Sequence, residues 1–287
     1  MTWSLPIPRG DGRGHVPVAR ISALAAVAVG AFLVLSTQGG PRWRTLGPGV
    51  EFATLRGEPY CRSGSAEIAA LRLDPAHARL RMIHFSLINA ARPLNIVEWQ
   101  RRTGALAVFN GGQFYPDWSY MGLLVCSGRV VSADPHPGFK AALVASPMLG
   151  APDIRVLDLE KQPLDPHAPG WREVAQSFML FDRSGAVRVR RTDHVANRTA
   201  VLEDRHGRVV VLTTEGGYTL ADLAEWLRRS PLAAAQAMAM DGGYEAELCV
   251  RAAGFRYASF GRWDESAESA APGAHTLLPC VIAVESE

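Results

Sequence analysis

A long series of short apolar segments, separated by turns rich in glycine, proline, asparagine and aspartate, limits the fold of this chain more than any other feature. Strand patterns cover residues 67–73, 80–85, 106–110, 123–132, 140–145, 154–159, 178–190, 198–213, 234–240, 248–251, 255–259 and 278–284. Helical patterns cover only residues 94–102 and 219–229. This balance predicts an α+β fold, a single domain on a mixed, largely antiparallel β-sheet core with a few helices.

Local turn and cap signals refine this prediction. Four hairpins are expected, within residues 67–85, 123–132, 178–190 and 198–213. Thr219 is predicted to cap the second helix because Asp222 follows three residues later and leucines recur at helical spacing. With 48% hydrophobic residues, a chain of 287 residues can bury a sizeable core.

The N-terminus has the composition of an export segment. Residues 21–35 are apolar throughout, and Arg9, Arg13 and Arg20 precede them. The run is shorter than the ~20 residues that span a bilayer comfortably, so a cleaved signal peptide is favoured and an uncleaved anchor remains open. We therefore expect a signal peptide or membrane anchor at 1–38, a linker at 39–49 and the folded domain at 50–287. The expected location is periplasmic or extracellular, with membrane contact only through residues 21–35.

Charge argues against nucleic-acid binding. The formal net charge is only +2, and no basic run alternates with aromatic residues. The four cysteines, at positions 61, 126, 249 and 280, contain no C-x-x-C spacing. In an oxidising compartment they predict at least one disulfide, with three pairings open, and the alternative is that Cys126 and Cys249 are buried free thiols. No histidine spacing indicates a metal site.

Five short motifs follow one another along the chain: N-G-G-Q-F at 110–114, Q-S-F-M-L at 176–180, R-T-A at 198–200, T-T-E-G-G at 213–217 and D-G-G at 241–243. Glycine pairs allow a sharp turn and a close approach of backbone to a ligand. In this order the motifs resemble those of the phosphodiester glycosidase domain family, over roughly residues 105–250. That family includes the animal "uncovering" enzyme, which removes N-acetylglucosamine from a sugar phosphodiester.

The resemblance implies an exported hydrolase that cleaves a glycosyl phosphodiester linkage in envelope or extracellular polysaccharide. Asp241 is the expected nucleophile or base, Glu245 or Glu215 is the next carboxylate, and Arg198 can hold two phosphate oxygens. Further substrate contacts are predicted for two groups, the backbone N–H donors near Gly111, Gly112, Gly242 and Gly243, and the side chains of Asn110, Gln176, Ser177, Thr199 and Glu215. The expected ligand is a carbohydrate or sugar phosphate. No cofactor or metal is predicted, although Asp241 with main-chain carbonyls could hold Ca²⁺.

Other interpretations stay open on the sequence alone. Asp241 could be a turn residue, Arg198 part of a structural ion pair, and Asn110 a cap for its own loop. Many members of the family continue D-G-G with glycine and two serines, whereas this chain continues with Tyr244-Glu245-Ala246. Because of that difference, a second interpretation stays open: a non-catalytic or weakly catalytic envelope protein that binds glycan or phosphate in exopolysaccharide handling. A structural partner in polysaccharide export is a third interpretation.

Overall fold

The computed structural model describes residues 40–262 and 276–286. Its helices are α1 (Ile96–Thr103) and α2 (Leu220–Arg229), and single 3₁₀ turns lie at Phe85–Leu87 and Gly243–Glu245. Its strands are β1 (Arg44–Gly47), β2 (Val50–Arg56), β3 (Glu67–Leu73), β4 (Ala78–His84), β5 (Ala107–Asn110), β6 (Leu124–Cys126), β7 (Arg129–Ser132), β8 (Ala141–Pro147), β9 (Ile154–Asp158), β10 (Trp171–Phe181), β11 (Arg198–Asp204), β12 (Val209–Thr214), β13 (Ala234–Gly242), β14 (Leu248–Ala252), β15 (Phe255–Ser259) and β16 (Cys280–Ser286).

These strands form two sheets. The larger has eleven strands in the order β1-β2-β3-β12-β11-β13-β10-β6-β7, with β8 and β9 added beside β10. The smaller has five, in the order β15-β14-β5-β16-β4. Neighbouring strands run antiparallel throughout the described residues. The predicted α+β class with a largely antiparallel sheet is confirmed.

The domain is built in four layers. Apolar side chains of both sheets, such as Leu71 and Phe109, meet in the largest core cluster. Helix α2 covers the outer face of the large sheet through Leu223 and Leu227. Helix α1 covers the outer face of the small sheet through Ile96 and Trp99. Each helix has one apolar face, which shields part of the outer face of its sheet from water.

Both helices begin at the caps that their sequences specify. The Asn95 side chain accepts from the N–H groups of Val97 and Glu98, and Glu98 returns a bond to the Asn95 N–H, which completes a capping box. Thr219 caps α2 by accepting from the N–H of Asp222 at 3.0 Å, as predicted. Helix α1 ends at Gly104, whose φ of 65° suits a residue without a Cβ.

Two of the four predicted hairpins differ from the structure. The prediction of a hairpin at residues 67–85 is wrong. Strand β3 pairs with β2 and β12 in the large sheet, whereas β4 pairs with β16 in the small sheet. Apolar alternation identifies a strand, but it does not specify which partner the strand takes. The segment 178–190 forms only one bridge, Phe181 to Val187, after the long strand β10. The hairpins β6–β7 and β11–β12 are confirmed.

The start of the fold and the cysteines also differ from expectation. Strand β1 lies inside the predicted linker and pairs with β2, so the sheet begins before Val50. All four cysteines are free, so the predicted disulfide is wrong for this structure. Cys126 and Cys280 are buried thiols, and desolvation raises the pKa of both. The predicted export segment lies outside the described residues, and within them no helix is long and apolar enough to cross a membrane.

Candidate active site

The N-G-G, R-T-A and D-G-G motifs meet at the ends of strands β5, β11 and β13. Strands β11 and β13 are neighbours in the large sheet, where Arg198 lies opposite Gly242. Strand β5 belongs to the small sheet, and its last residue, Asn110, reaches across to both. The site therefore lies where the two sheets meet, and the sequence prediction that these motifs come together is consistent with the fold.

Asn110 joins the three strands through its side chain. Its Nδ2 donates to the carbonyl oxygen of Asp241 at 3.0 Å and to that of Gly111 at 3.0 Å. Its Oδ1 accepts from the Thr199 hydroxyl at 2.7 Å and from the Glu247 N–H at 3.2 Å. The residue is 1% exposed, so its polar atoms are satisfied inside the protein. Asn110 and Thr199 thus hold the ends of the three strands together through buried hydrogen bonds.

Asp241 has a main chain that is fixed on both sides. Its N–H donates to the Gly111 carbonyl at 3.1 Å, and its own carbonyl accepts from Asn110. Its carboxylate Oδ1 accepts from the Gly242 N–H at 2.9 Å, and the side chain is half-buried. A carboxylate on such a constrained backbone is held in direction, as a nucleophile or general base requires.

Arg198 lies beside Asp241 on the adjacent strand and is 7% exposed. Its Nε donates to the Tyr218 carbonyl at 2.9 Å and its Nη2 to the His194 carbonyl at 2.8 Å. A Cβ placed on Gly242 would lie 3.0 Å from both Arg198 Nη1 and the Asn197 carbonyl oxygen, so a larger residue there would crowd the arginine and the backbone. These two carbonyl contacts fix the orientation of the guanidinium plane.

The backbone N–H groups expected to bind phosphate donate mostly within the chain. The N–H of Gly111 donates to the Cys280 carbonyl at 3.0 Å, that of Gly242 to the Asp241 carboxylate, and that of Gly243 to the Asn197 carbonyl at 2.9 Å. Gly112 packs against the Tyr120 hydroxyl. These glycines therefore permit close packing, and the sequence-based expectation of an anion-binding nest does not match their bonding.

Gln176 and Ser177 support the site from strand β10. The Gln176 amide makes four bonds, to the N–H groups of Leu123 and His136 and to the carbonyls of His136 and Phe139. The Ser177 hydroxyl donates to Gln113 Oε1 at 2.9 Å, and Gln113 in turn donates to the Met240 carbonyl. Both side chains are buried. In this arrangement they hold loops in place, next to the strand that carries Asp241.

The two predicted alternative carboxylates occupy different surroundings. Glu215 accepts from the Tyr257 hydroxyl at 2.8 Å, so it is tied to strand β15. Glu245 ends the 3₁₀ turn that directly follows the D-G-G motif and is half-buried. Of the two, Glu245 is the closer to Asp241 along the chain.

Glu247 is a carboxyl group that the sequence analysis missed. It is 1% exposed, and its Oε2 has no hydrogen-bond partner within the described residues. Burial, aided by the neighbouring charge of Glu245, raises its pKa to about 8. The signal available in the sequence was a glutamate between the apolar Ala246 and Leu248, directly before the predicted strand 248–251 and close to Asp241.

The described residues contain no group of three or more histidine, cysteine, aspartate or glutamate side chains that could hold a metal ion.

Comparisons with known proteins agree with the motif order. A sequence profile described as phosphodiester glycosidase matches residues 103–273. The catalytic domain of zebrafish N-acetylglucosamine-1-phosphodiester alpha-N-acetylglucosaminidase, in a form auto-inhibited by its pro-peptide, is similar with a TM-score of 0.57 and 15% identity over 87% of each chain. A hypothetical protein from Synechocystis is similar with a TM-score of 0.58 and 12% identity, over 86% of this chain and 64% of that one.

A search of curated proteins found no match to this chain. The two structural likenesses, at these identities, show a shared fold. The profile match covers more than half of the 287 residues and includes all five motifs in full. The chain belongs to the phosphodiester glycosidase family.

Proposed function

We propose that this protein is an exported hydrolase that cleaves a glycosyl phosphodiester linkage, with Asp241 and Arg198 as its reacting pair. The observation that carries the proposal is their placement: a carboxylate and a guanidinium on adjacent strands, at the register point where Arg198 faces Gly242. Family membership supports the same reaction class.

The two groups match the two demands of the reaction. As the glycosidic bond breaks, the anomeric carbon becomes oxocarbenium-like, and a carboxylate can attack it or activate water. The phosphate departs as a stable anion, since its pKa values lie near ~2 and ~6 for a monoester. Arg198 can hold the developing negative charge, so a separate general acid is not required. Glu245 is the second carboxylate that could assist.

The substrate we propose is a sugar phosphodiester of envelope or extracellular polysaccharide. Its support is the predicted export segment at residues 21–35 and the family's action on phosphodiester-linked sugar. The change from glycine and serines to Tyr244, Glu245 and Ala246 after D-G-G alters the side chains beside the reacting pair. We therefore expect the sugar accepted to differ from N-acetylglucosamine.

The test is hydrolysis of a panel of sugar-1-phosphodiesters, including UDP-N-acetylglucosamine, by the purified domain. Asp241→Asn removes the carboxylate, and Arg198→Lys keeps a positive charge but loses the planar fork. Asp165→Asn, on an exposed loop, is the matched control. We expect turnover by the parent and the control, and a fall of about 100-fold or more in each site variant, the scale of losing a charged stabilising group.

A glycan- or phosphate-binding protein without turnover is the second candidate. The observation that favours it is the Tyr244-Glu245-Ala246 sequence in place of the family's hydroxyl-bearing residues. No turnover across the panel, with ligand binding retained in Asp241→Asn, would establish this candidate and overturn the first.

A further inference from the structure

A cavity of about 360 Å³ lies between helix α1 and the β14–β15 hairpin. Three arginines line it, Arg101 from the helix and Arg251 and Arg256 from the two strands. Cys249 and Val250 also line it. Burial raises the pKa of the Cys249 thiol, so this cysteine adds no negative charge at neutral pH. The charged side chains that line the cavity are therefore all positive, and its other lining residues are neutral.

The hairpin places two of the arginines directly opposite each other. Arg251 pairs with Arg256 in the antiparallel register, and both are exposed. Directly opposed like charges destabilise a strand pair, because their side chains share one face of the sheet within a few ångströms. An anion bound between or above the two guanidinium groups would offset this repulsion.

Within residues 40–262 and 276–286, none of the three arginines forms an ion pair with a carboxylate. The larger cavity of about 710 Å³ beside α2 differs in this respect. There, Arg228 and Arg229 pair with Glu225, and Arg183 pairs with Glu203. Glu98, on the same helix, partly offsets the charge of Arg101, whereas no carboxylate pairs with Arg251 or Arg256 within the described residues.

The cavity lies along the strand that leads away from the candidate active site. Glu247, whose N–H binds Asn110, precedes β14, and Arg251 follows four residues later. At about 3.3 Å per residue, the two positions are roughly 13 Å apart along the strand. A ligand that contacted both Asp241 and these arginines would have to extend along this strand, as a chain of phosphate-linked sugars does.

We propose that Arg101, Arg251 and Arg256 form a second anion subsite that binds a phosphate group of a polymeric substrate, away from the bond that is cut. Guanidinium groups bind phosphate oxygens through paired, charge-assisted hydrogen bonds, and three of them around one cavity can contact several oxygens of one group. The inference rests on the proposed function and adds to it a substrate class: a glycan with repeated phosphodiester groups.

Binding is tested first, with inorganic pyrophosphate and a short inorganic polyphosphate as probes in titration calorimetry at low ionic strength. The double variant Arg251→Gln/Arg256→Gln should weaken polyphosphate binding by about 10-fold or more, the scale of losing hydrogen bonds to a charged group. Arg129→Gln is the matched control, since Arg129 is also exposed, unpaired within the described residues and next to a hairpin turn. Equal binding by the double variant and the parent would overturn the proposal.

Stability without ligand gives an independent readout. Arg251→Gln alone should raise the thermal midpoint at low salt, because it removes the opposed charge, and added pyrophosphate should raise the midpoint of the parent more than that of the variant. A midpoint lowered by Arg251→Gln, with an unchanged response to pyrophosphate, would contradict the subsite.

Turnover separates this proposal from the proposed function. The double arginine variant should raise KM for a phosphodiester-linked oligosaccharide by about 10-fold and leave turnover of a single sugar phosphodiester unchanged. Asp241→Asn should abolish turnover of both and keep polyphosphate binding. Equal KM values of the parent and the double variant for the oligosaccharide would contradict the proposed substrate class. Stronger binding of the parent to anionic lipid vesicles than to polyphosphate would assign the cavity to a membrane headgroup instead.

Discussion

Asn110 was expected to contact substrate, but its side chain instead hydrogen-bonds the chain segments that form the site. Its amide bonds four backbone and side-chain groups across strands β5, β11 and β13, and it is almost fully buried. The sequence placed it correctly at the end of a strand beside a glycine pair. It did not reveal the side chain's direction, because that depends on partners from three distant segments.

Removing the Asn110 amide should therefore destabilise the fold. Asn110→Ala leaves the Thr199 hydroxyl and the Glu247 N–H without their acceptor, and each buried unsatisfied group costs about 1–3 kcal/mol. We expect the free energy of unfolding to fall by about 3 kcal/mol in urea titrations. Gln162→Ala, at an exposed amide, is the control. Unchanged stability in Asn110→Ala, with weakened sugar binding, would show that Asn110 is a ligand contact after all.

At the scale of elements, the sequence identified strands and helices better than their partners. Caps and periodicity are local, so Thr219 at the start of α2 and the strand Glu67–Leu73 could be predicted from neighbouring residues. Pairing is not local: β4 joins β16, some two hundred residues later in the chain, and that choice depends on the whole core. Because side-chain partners are also non-local, the motifs could be identified from the sequence, whereas the hydrogen bonds of their side chains could not be predicted.

The α2 cap offers a prediction at this scale. Thr219→Ala removes the acceptor for the Asp222 N–H and should lower stability by about 1 kcal/mol. Thr219→Ser keeps the hydroxyl and should stay close to the parent. The measurement is the urea midpoint of all three proteins. Equal losses in the alanine and serine variants would mean that the threonine methyl group, and not the cap, supplies the stability.

For the whole molecule, buried carboxyl groups set the dependence of stability on pH. Burial raises the pKa of Glu173 to about 7 and that of Glu247 to about 8, from an ordinary value near 4.5. A raised folded-state pKa means that the folded state binds the proton more tightly than the unfolded chain does. The stabilising contribution is complete below about pH 4.5 and is lost as the pH rises through 7 and 8.

Replacing Glu247 should flatten this profile. Glu247→Gln removes one titrating group, so the loss of unfolding free energy between pH 5 and pH 8 should shrink by roughly 3 kcal/mol relative to the parent. Urea unfolding at the two pH values measures it. Glu67→Gln, at a half-buried strand position, is the comparison variant measured beside it. An unaltered profile in Glu247→Gln would show that the carboxyl titrates normally in the folded protein.

The four free thiols have a consequence for how this protein matures. Because no disulfide cross-links the described domain, it is held together by strand pairing and by the apolar side chains buried between its four layers. A reducing agent such as dithiothreitol should leave its melting temperature unchanged, as a scan with and without the reagent would show. We therefore expect the domain to reach the same fold in reducing and in oxidising surroundings.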